Sequence, residues 1–469
     1  MSQTSPGGPS VAVIGGGLAG ISTACALSDA GYKVTLFERR PFLGGRASSY
    51  EHPGTGEVVD NCQHVLLGCC TNLLDLYHRL GVEDKVRWYR RTTFIEPGGR
   101  SGAIESSSLP APMHSALSFA SFPLLSLRDK LGIARALLTL MPSVPADNGE
   151  DFLAWLRRHG QTERAIERFW APVLISSLNE ELDKSSAKYA AMVIRDAFLK
   201  SAEAGAMGVP SIPLSELYGV AAEYIRARGG QVQLRSAVES LACNDNGVTL
   251  KVGAEEQAFD YAISAVPFHA LHRLLPPGEQ SDAICRQVSH LRTVPITGVH
   301  LWFDREITPL HHAALLDRTI QWMFQKSKIL SRRAESADGG SYLELVISSS
   351  KSLLEMGRAE VIELARRELA EFFPASREAT LLKATVVKEV HATFAPAPGS
   401  DEFRLHPITP WPRLFLSGDW TATGWPATME GAVRAGYLTA EAVTRAAGDG
   451  TRFLISDLPP RGLMRLFQS

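Results

Sequence analysis

The residues with the clearest chemical purpose are Gly15-Gly16-Gly17-Leu18-Ala19-Gly20 and, 18 positions after Gly20, Glu38. An apolar run, Val11–Ile14, leads into the glycines, and a second, Lys33–Phe37, leads into Glu38. This pattern reads as a strand, a helix and a second strand gripping a dinucleotide. Gly15 permits the tight turn, Gly17 lets backbone approach a pyrophosphate, and Gly20 lets helix and strand pack closely. The helix start at Leu18 and Ala19 offers N–H donors and the positive end of the helix dipole. Glu38 is placed to accept hydrogen bonds from an adenosine ribose. A glycine turn without a ligand would require strand, helix and acid to fall into register by accident.

The neighbouring residues point to FAD rather than NAD. Arg39-Arg40-Pro41-Phe42-Leu43-Gly44-Gly45-Arg46 follows directly, with Arg39 beside the ribose acid. Gly44 and Gly45 bring backbone close to a long cofactor, and Arg46 can pair with its phosphates. Far along the chain, Leu414-Phe415-Leu416-Ser417-Gly418-Asp419-Trp420 reads as a strand ending in Gly418 and Asp419, the latter suited to ribityl or pyrophosphate oxygens. Thr428, Met429 and the residues to Ala432 open a last helix whose N-terminus can face the flavin. Tyr261–Pro267 fits the wall along the dinucleotide, and Val238 fits the adenine. Each piece alone is compatible with an ordinary loop; order and spacing together favour FAD. Arg39 and Arg40 would also suit the extra phosphate of NADP, but Glu38 repels it.

These pieces need an α/β fold of mixed α+β character: a Rossmann-type FAD-binding domain with a helix-rich substrate domain inserted into it. The expected division is 1–70, 211–270 and 405–450 for the cofactor, 71–210 and 271–404 for the substrate, and 451–469 as a tail. Helices are predicted at Asn72–Leu80, Leu127–Met141, Glu150–His159, Glu163–Leu174, Ser185–Lys200, Ser215–Arg228 and Lys351–Phe373. Strands are predicted at Gly298–Phe303, Trp322–Gln325 and Leu343–Ser348, as the roof of an apolar cavity. Stretches 96–112 and 333–340 read as loops. The chain has 469 residues, 45% hydrophobic and 21% charged, with net charge −2. That balance gives no reason to expect nucleic acid as a partner. The six cysteines show no zinc spacing, so no metal site is expected, and Met1–Ser10 lacks the regions of a signal peptide. A reduced, cytoplasmic protein without a membrane-spanning helix is the expectation.

Beyond the glycines, further stretches carry a resemblance. They are Glu57-Val58-Val59-Asp60-Asn61-Cys62-Gln63-His64-Val65-Leu66-Leu67-Gly68, Pro123–Lys130, Asn179, Arg195–Phe198, Pro213–Tyr218, Val299–Asp304, Gln321-Trp322 and Trp420–Val433. The chain resembles the flavin amine oxidase/phytoene desaturase superfamily over about residues 11–445. Within it, the chain is similar to the hydroxysqualene dehydroxylases, the squalene-associated FAD enzymes of hopanoid biosynthesis. One departure is Cys62, where a glycine is expected; it would place a thiol near the cofactor.

The resemblance implies non-covalent FAD and removal of the hydroxyl of hydroxysqualene to give squalene. An allylic C–O bond ionises because the cation is delocalised, and hydride capture completes the exchange. The chemistry asks for a proton donor and a dry apolar tunnel. His64 and Asp60 are the candidates for proton handling, with Asp60 raising the pKa of His64; Glu430 is placed to orient water or cap a helix. Asn61 and Gln63 are candidates to bond the substrate hydroxyl. Trp302, Phe303, Trp322, Phe324, Trp425, Phe198 and Leu199 are candidates to line the tunnel. For any one of these the plain alternative is packing. Within 109–142, Met113, Leu117, Phe119, Leu124, Leu125 and Leu127 beside Arg128, Lys130 and Arg135 read as a contact with the inner face of the membrane, and Arg461–Phe467 has a similar mixture. The absence of a second GxGxxG motif implies an external electron donor. The rivals are a carotenoid-type desaturase, an amine or porphyrinogen oxidase, and a prenyl-lipid binding protein without catalysis; the intact dinucleotide motif disfavours the last.

Overall fold

The computed structural model describes residues 8–331 and 340–467. Five short strands form a wholly parallel sheet in the order Gln231–Leu234, Lys33–Glu38, Ser10–Ile14, Tyr261–Ser264, Leu414–Leu416. The sheet therefore draws on three separated stretches of chain. Strands Ser10–Ile14, Tyr261–Ser264 and Leu414–Leu416 are nearly continuous buried runs because both faces are covered, whereas the edge strand Gln231–Leu234 alternates polar and apolar residues. Helices Leu18–Asp29 and Met429–Ala446 pack against one another on it, and Ser22 and Thr23 of the first donate to the carbonyls of Val433 and Gly436. Helix Leu18–Asp29 is buried almost all round, from Leu18 to Ser28. A separate three-stranded meander, Val238–Asn244, Gly247–Val252 and Glu255–Phe259, flanks the sheet.

A larger seven-stranded sheet runs in the order Leu381–Phe394, Thr293–Phe303, Ser341–Ser348, Trp322–Gln325, His312–Leu315, Arg91–Ile95, Ser101–Glu105. All its pairs are antiparallel except His312–Leu315 beside Arg91–Ile95. Helix Arg358–Phe372 covers one face with Val361, Ala365, Leu369 and Phe372. The other face looks toward the loop after Asp60 and the helical layer of residues 113–199. The strands Trp322–Gln325 and Ser341–Ser348 appear as predicted or slightly longer.

Two expectations change, and a third falls almost wholly outside the described residues. Stretch 96–112 is not a plain loop, because Arg91–Ile95 and Ser101–Glu105 form a hairpin turned by Gly98 and Gly99 at positive φ. Loop 333–340, apart from Gly340, lies outside the described residues. The predicted helices Glu163–Leu174 and Ser185–Lys200 each contain a π-helical turn, Ile166–Trp170 and Ile194–Leu199. The extra residue in each turn re-aims the side chains after it, a change that helical periodicity does not encode.

Helix Leu127–Leu140 starts from a reciprocal cap. Asp129 N–H donates to Ser126 Oγ, and Ser126 N–H donates to an Asp129 oxygen at 2.8 Å. Thr162 Oγ1 donates to the other Asp129 oxygen at 2.6 Å, pinning the helix to the next element. Ile133, Ala136 and Leu140 face inward, while Leu127, Leu131 and Leu138 face out.

Candidate active site

The dinucleotide cradle is built mainly from backbone. Helix Leu18–Asp29 begins at Gly17 with no capping side chain and no acid in its first turn, so its leading N–H groups remain available to a phosphate. A methyl group on Gly20 would stand 1.9 Å from the Gly15 carbonyl oxygen, which explains why helix and turn come together only with glycine there. Gly45, at φ +62°, faces Gly17 across a second close approach: a methyl on it would meet Gly17 Cα at 2.8 Å. One Glu38 oxygen accepts from Gly16 N–H and the other from Arg40 N–H, both at 2.7 Å. Each oxygen keeps a lone pair for a ribose hydroxyl, so the acid both shapes the turn and fits the adenosine end. Ser236 N–H donates to the Glu38 carbonyl at 2.9 Å, bringing Val238 alongside the same end. Arg39 is exposed beside it.

Arg46 and Asp419 touch each other, at 2.5 Å, instead of standing free for a phosphate. Arg46 also donates to the Ala392 carbonyl. Gly418 takes φ +146° at the end of its strand, and the hydroxyls of Ser264 and Ser417 at the strand ends are buried without a partner among the described residues. Thr428 caps the last helix by accepting from Gly431 N–H at 3.0 Å. Met429 Sδ accepts from the Tyr218 hydroxyl at 3.3 Å. These open N–H groups, the glycine contacts and the unpartnered hydroxyls fit a flavin dinucleotide.

Next to this cradle is a cavity of about 510 Å³, within the range of small-molecule sites. One end is bounded by Gln63, Cys69, Cys70, Trp425, Thr428 and Met429. Its roof carries Trp322, Phe324, Val346 and Ser348 from the seven-stranded sheet, and Phe169 and Phe198 enter from the π turns. The far end reaches Met113, His114, Leu137 and Leu138. Most of the wall is apolar. Among the exceptions, buried His114 Nδ1 and Trp322 Nε1 have no hydrogen-bond partner among the described residues.

Of the residues expected near substrate, Gln63, Phe198, Leu199, Trp322, Phe324 and Trp425 line this cavity. Others do not. Trp302 lies on the same sheet face as Val346 but opposite Tyr342, where it stacks at 4.4 Å and is covered by Val59. Phe303 points to the opposite face, into the cluster under helix Arg358–Phe372. Asn61 shapes its loop: its side-chain N–H donates to the Arg46 carbonyl at 2.7 Å and its oxygen accepts from Ser48 N–H. Cys62 is buried among Met207, Val209, Phe324 and Val346, and burial holds its thiol well above the usual range.

The three candidates for acid–base work also have other duties. His64 Nδ1 lies 2.7 Å from the Cys62 carbonyl, so Nδ1 carries a proton and donates it there. Burial pushes its pKa down, and the field of Asp60 does not reverse this. Its neighbours Gln63 and Val65 line the cavity; His64 does not. Asp60 accepts from Ser49 Oγ at 2.5 Å and Lys326 Nζ at 2.7 Å. Burial raises its pKa, but Lys326 outweighs this and keeps it ionised. Glu430, fully buried at the cavity end, accepts from Leu73 N–H at 2.7 Å, from the backbone and side chain of Asn72, and from Arg434 Nε at 2.7 Å. Three of those donors share one oxygen, and the carboxylate caps helix Thr71–Leu80 from the cavity end.

One group escaped the reading of the sequence. Lys326 is 1% exposed, and its Nζ reaches Asp60, Gln63 Oε1 at 2.7 Å and a Glu344 oxygen at 3.2 Å. Apart from that contact, neither Glu344 oxygen has a hydrogen-bond partner among the described residues. Burial raises the Glu344 pKa to about 7 despite Lys326. The signal in the sequence was Glu344 itself, a lone acid inside the apolar strand Ser341–Ser348, which must find a partner when buried.

Comparison with known proteins decides the family. Residues 18–444 match the family of flavin containing amine oxidoreductases. The chain belongs to that family. It is 27% identical over 454 residues to 15-cis-phytoene desaturase of Synechococcus elongatus, covering 92% of this chain and 95% of that one. It is also 27% identical over 476 residues to a probable zeta-carotene desaturase of the same organism, covering 93% and 98%. Among solved structures, an oxidoreductase from Methanosarcina mazei superposes with TM-score 0.72 at 20% identity, covering 91% of this chain and 98% of that one. Putrescine oxidase bound to putrescine gives 0.67 at 16% identity, with 93% and 99% covered. As a flavin-containing family member, this protein is an FAD-dependent oxidoreductase. No helix among the described residues is long and apolar enough to cross a membrane.

Proposed function

We propose that this chain removes the hydroxyl of hydroxysqualene to give squalene. The observation that carries the reading is the cavity of about 510 Å³, apolar along most of its wall, between the FAD cradle and an exposed apolar surface. Reduced FAD, when bound, supplies the hydride equivalent. The protein's own part is to hold a long isoprenoid, exclude water and accommodate a departing oxygen. Phe169, Phe198, Trp322 and Phe324 supply apolar and aromatic wall that suits an isoprenoid chain and a developing cation. A pure hydrocarbon would leave the free N–H of the Gln63 amide facing carbon, at roughly 1–3 kcal/mol for a buried group left unpaired. An alcohol supplies both a donor and an acceptor.

The substrate enters from a bilayer in this reading. Met113 and Leu138 line the far end of the cavity and are also exposed. With Leu117, Leu127, Leu131, Leu463 and Leu466 they make a set of large apolar side chains, each 47–78% exposed. The tail joins this region directly, as Leu463 N–H donates to the Ala111 carbonyl and Met464 is buried beside Ala111. Arg128, Lys130, Arg135 and Arg465 supply positive charge near an anionic membrane surface. Electrons reach FAD from an external donor.

Carotenoid-type desaturation is the second reading, favoured by the phytoene and zeta-carotene desaturases among the relatives. The test is anaerobic: the purified flavoprotein is reduced, hydroxysqualene is added, and products are followed with the flavin spectrum. Squalene formed with flavin reoxidation supports the dehydroxylase. Flavin that stays reduced without squalene rejects it, and dehydrogenation of phytoene by the oxidised protein would establish the second reading. Sedimentation with anionic vesicles tests the surface, and Leu131→Glu with Leu138→Glu should abolish it.

A further inference from the structure

Resting on that reading of the cavity, we propose that Lys326 is a positioning residue that fixes the Gln63 amide and makes the flavin end of the cavity select an oxygen-bearing isoprenoid. An ammonium group has only donors. Its 2.7 Å contact with Gln63 therefore requires the amide oxygen, not the nitrogen, to face Lys326. One hydrogen of the Gln63 nitrogen is then committed to the His64 carbonyl at 3.0 Å. Its second N–H is what Gln63 has left to offer the cavity. Gln63 is the member of this cluster that lines the cavity; Asp60, Lys326 and Glu344 lie behind it. The cavity thus meets a donor whose direction is set from the protein interior. Such a donor suits the lone pair of an alcohol, ether or carbonyl oxygen, and it can hold a hydroxyl as its C–O bond weakens.

The ammonium is itself held in place. Asp60 fixes it from strand Val58–Asp60, and Glu344 approaches from the seven-stranded sheet. Lys326 opens the short helix Lys326–Ile329, with Ile329 buried below it. A solvated lysine would leave the amide free to turn over; a buried one, bonded on two sides, does not.

The test measures binding of hydroxysqualene and of squalene to the oxidised holoprotein, through quenching of tryptophan fluorescence, since Trp322 and Trp425 line the cavity. One hydrogen bond predicts an alcohol preference of about 3–10-fold in the wild type. Gln63→Leu removes the N–H without adding an acceptor or a charge, so the preference should vanish. Lys326→Met should bring the affinity for hydroxysqualene down to that for squalene. An alcohol preference that persists in Gln63→Leu overturns the inference. Equal binding of both ligands by the wild type overturns it while leaving the cavity reading intact. If neither ligand binds the wild type, the cavity reading falls and the inference with it.

Discussion

The parallel sheet and the seven-stranded sheet meet at the candidate site but serve it by different means. At the parallel sheet the working groups are largely main-chain: glycine contacts, the uncapped start of helix Leu18–Asp29 and the helix opening at Met429. At the seven-stranded sheet they are side chains brought together from distant positions: Asp60, Lys326 and Glu344 behind the wall, Trp322, Phe324 and Val346 on it. A backbone cradle depends on local geometry and tolerates few changes. A side-chain wall depends on pairing and shape, and its parts fail one at a time.

The largest effect should therefore come from the cradle. In Gly20→Val the new side chain begins 1.9 Å from the Gly15 oxygen, so turn and helix must separate. The expected outcome is a loss of bound FAD of about tenfold or more, read from the flavin-to-protein absorbance ratio. Full flavin occupancy in this variant would show that the close approach is not needed.

Next is Lys326→Met, at the junction of the two regions. It leaves Asp60 and Glu344 buried without their cation. Removing one partner from a buried ion pair costs about 3–5 kcal/mol. Protonation of Glu344 would absorb part of this, so the destabilisation should be larger at pH 8 than at pH 5. Denaturant melts at the two pH values measure it; equal, small losses would mean that the cluster contributes little.

Glu344 alone gives a smaller, pH-dependent effect. The charged and titratable groups around it are Asp60 and Cys62 from the loop, Lys326 from its short helix, His300 from the adjacent strand and Tyr342 from its own. Burial holds His300 neutral, with a pKa of about 3. The Glu344 pKa rises from 4.5 to about 7 on folding, so the native state binds more protons than the unfolded chain between those values. Its contribution is present below pH 4.5 and is lost as pH rises to 7, by about 3 kcal/mol in total. Glu344→Gln should remove that slope. A variant whose stability still falls by the same amount between pH 5 and pH 8 would place the titration elsewhere.

The same contrast explains what the sequence made legible. Strands Ser10–Ile14 and Lys33–Glu38, the glycines and Glu38 sit within 29 consecutive positions, so local pattern reveals them. Trp322 and Phe324 were also found, from a strand read as part of the cavity roof, and Trp425 from its place before the last helix, but the same reasoning named Trp302 and Phe303, which pack elsewhere. The Lys326 cluster was not, since its partners stand 266 positions before and 18 after it and only folding brings them together. Trp302 and Trp322 look alike in sequence. They differ because sheet register sets one opposite Tyr342 and the other opposite Val346. The π turn that carries Phe198 has no periodic signature to betray it.

The smallest expected effect sharpens the comparison most, because it concerns the residue whose chemical type is the most persuasive. A histidine in a loop beside a flavin site looks like an acid–base group. Here its Nδ1 proton is committed to the Cys62 carbonyl and burial lowers its pKa, which makes it a poorer acid–base group than its type suggests. Loss of a working general acid costs about 10²–10⁴ in rate. His64→Ala should instead leave the rate of product formation within about threefold of wild type, less than ~1 kcal/mol in barrier. A hundredfold loss with a displaced pH profile would return His64 to the chemistry. A small loss would confine its role to holding the loop from which Gln63 reaches the cavity, and would direct the search for the proton source to the cavity wall and its water.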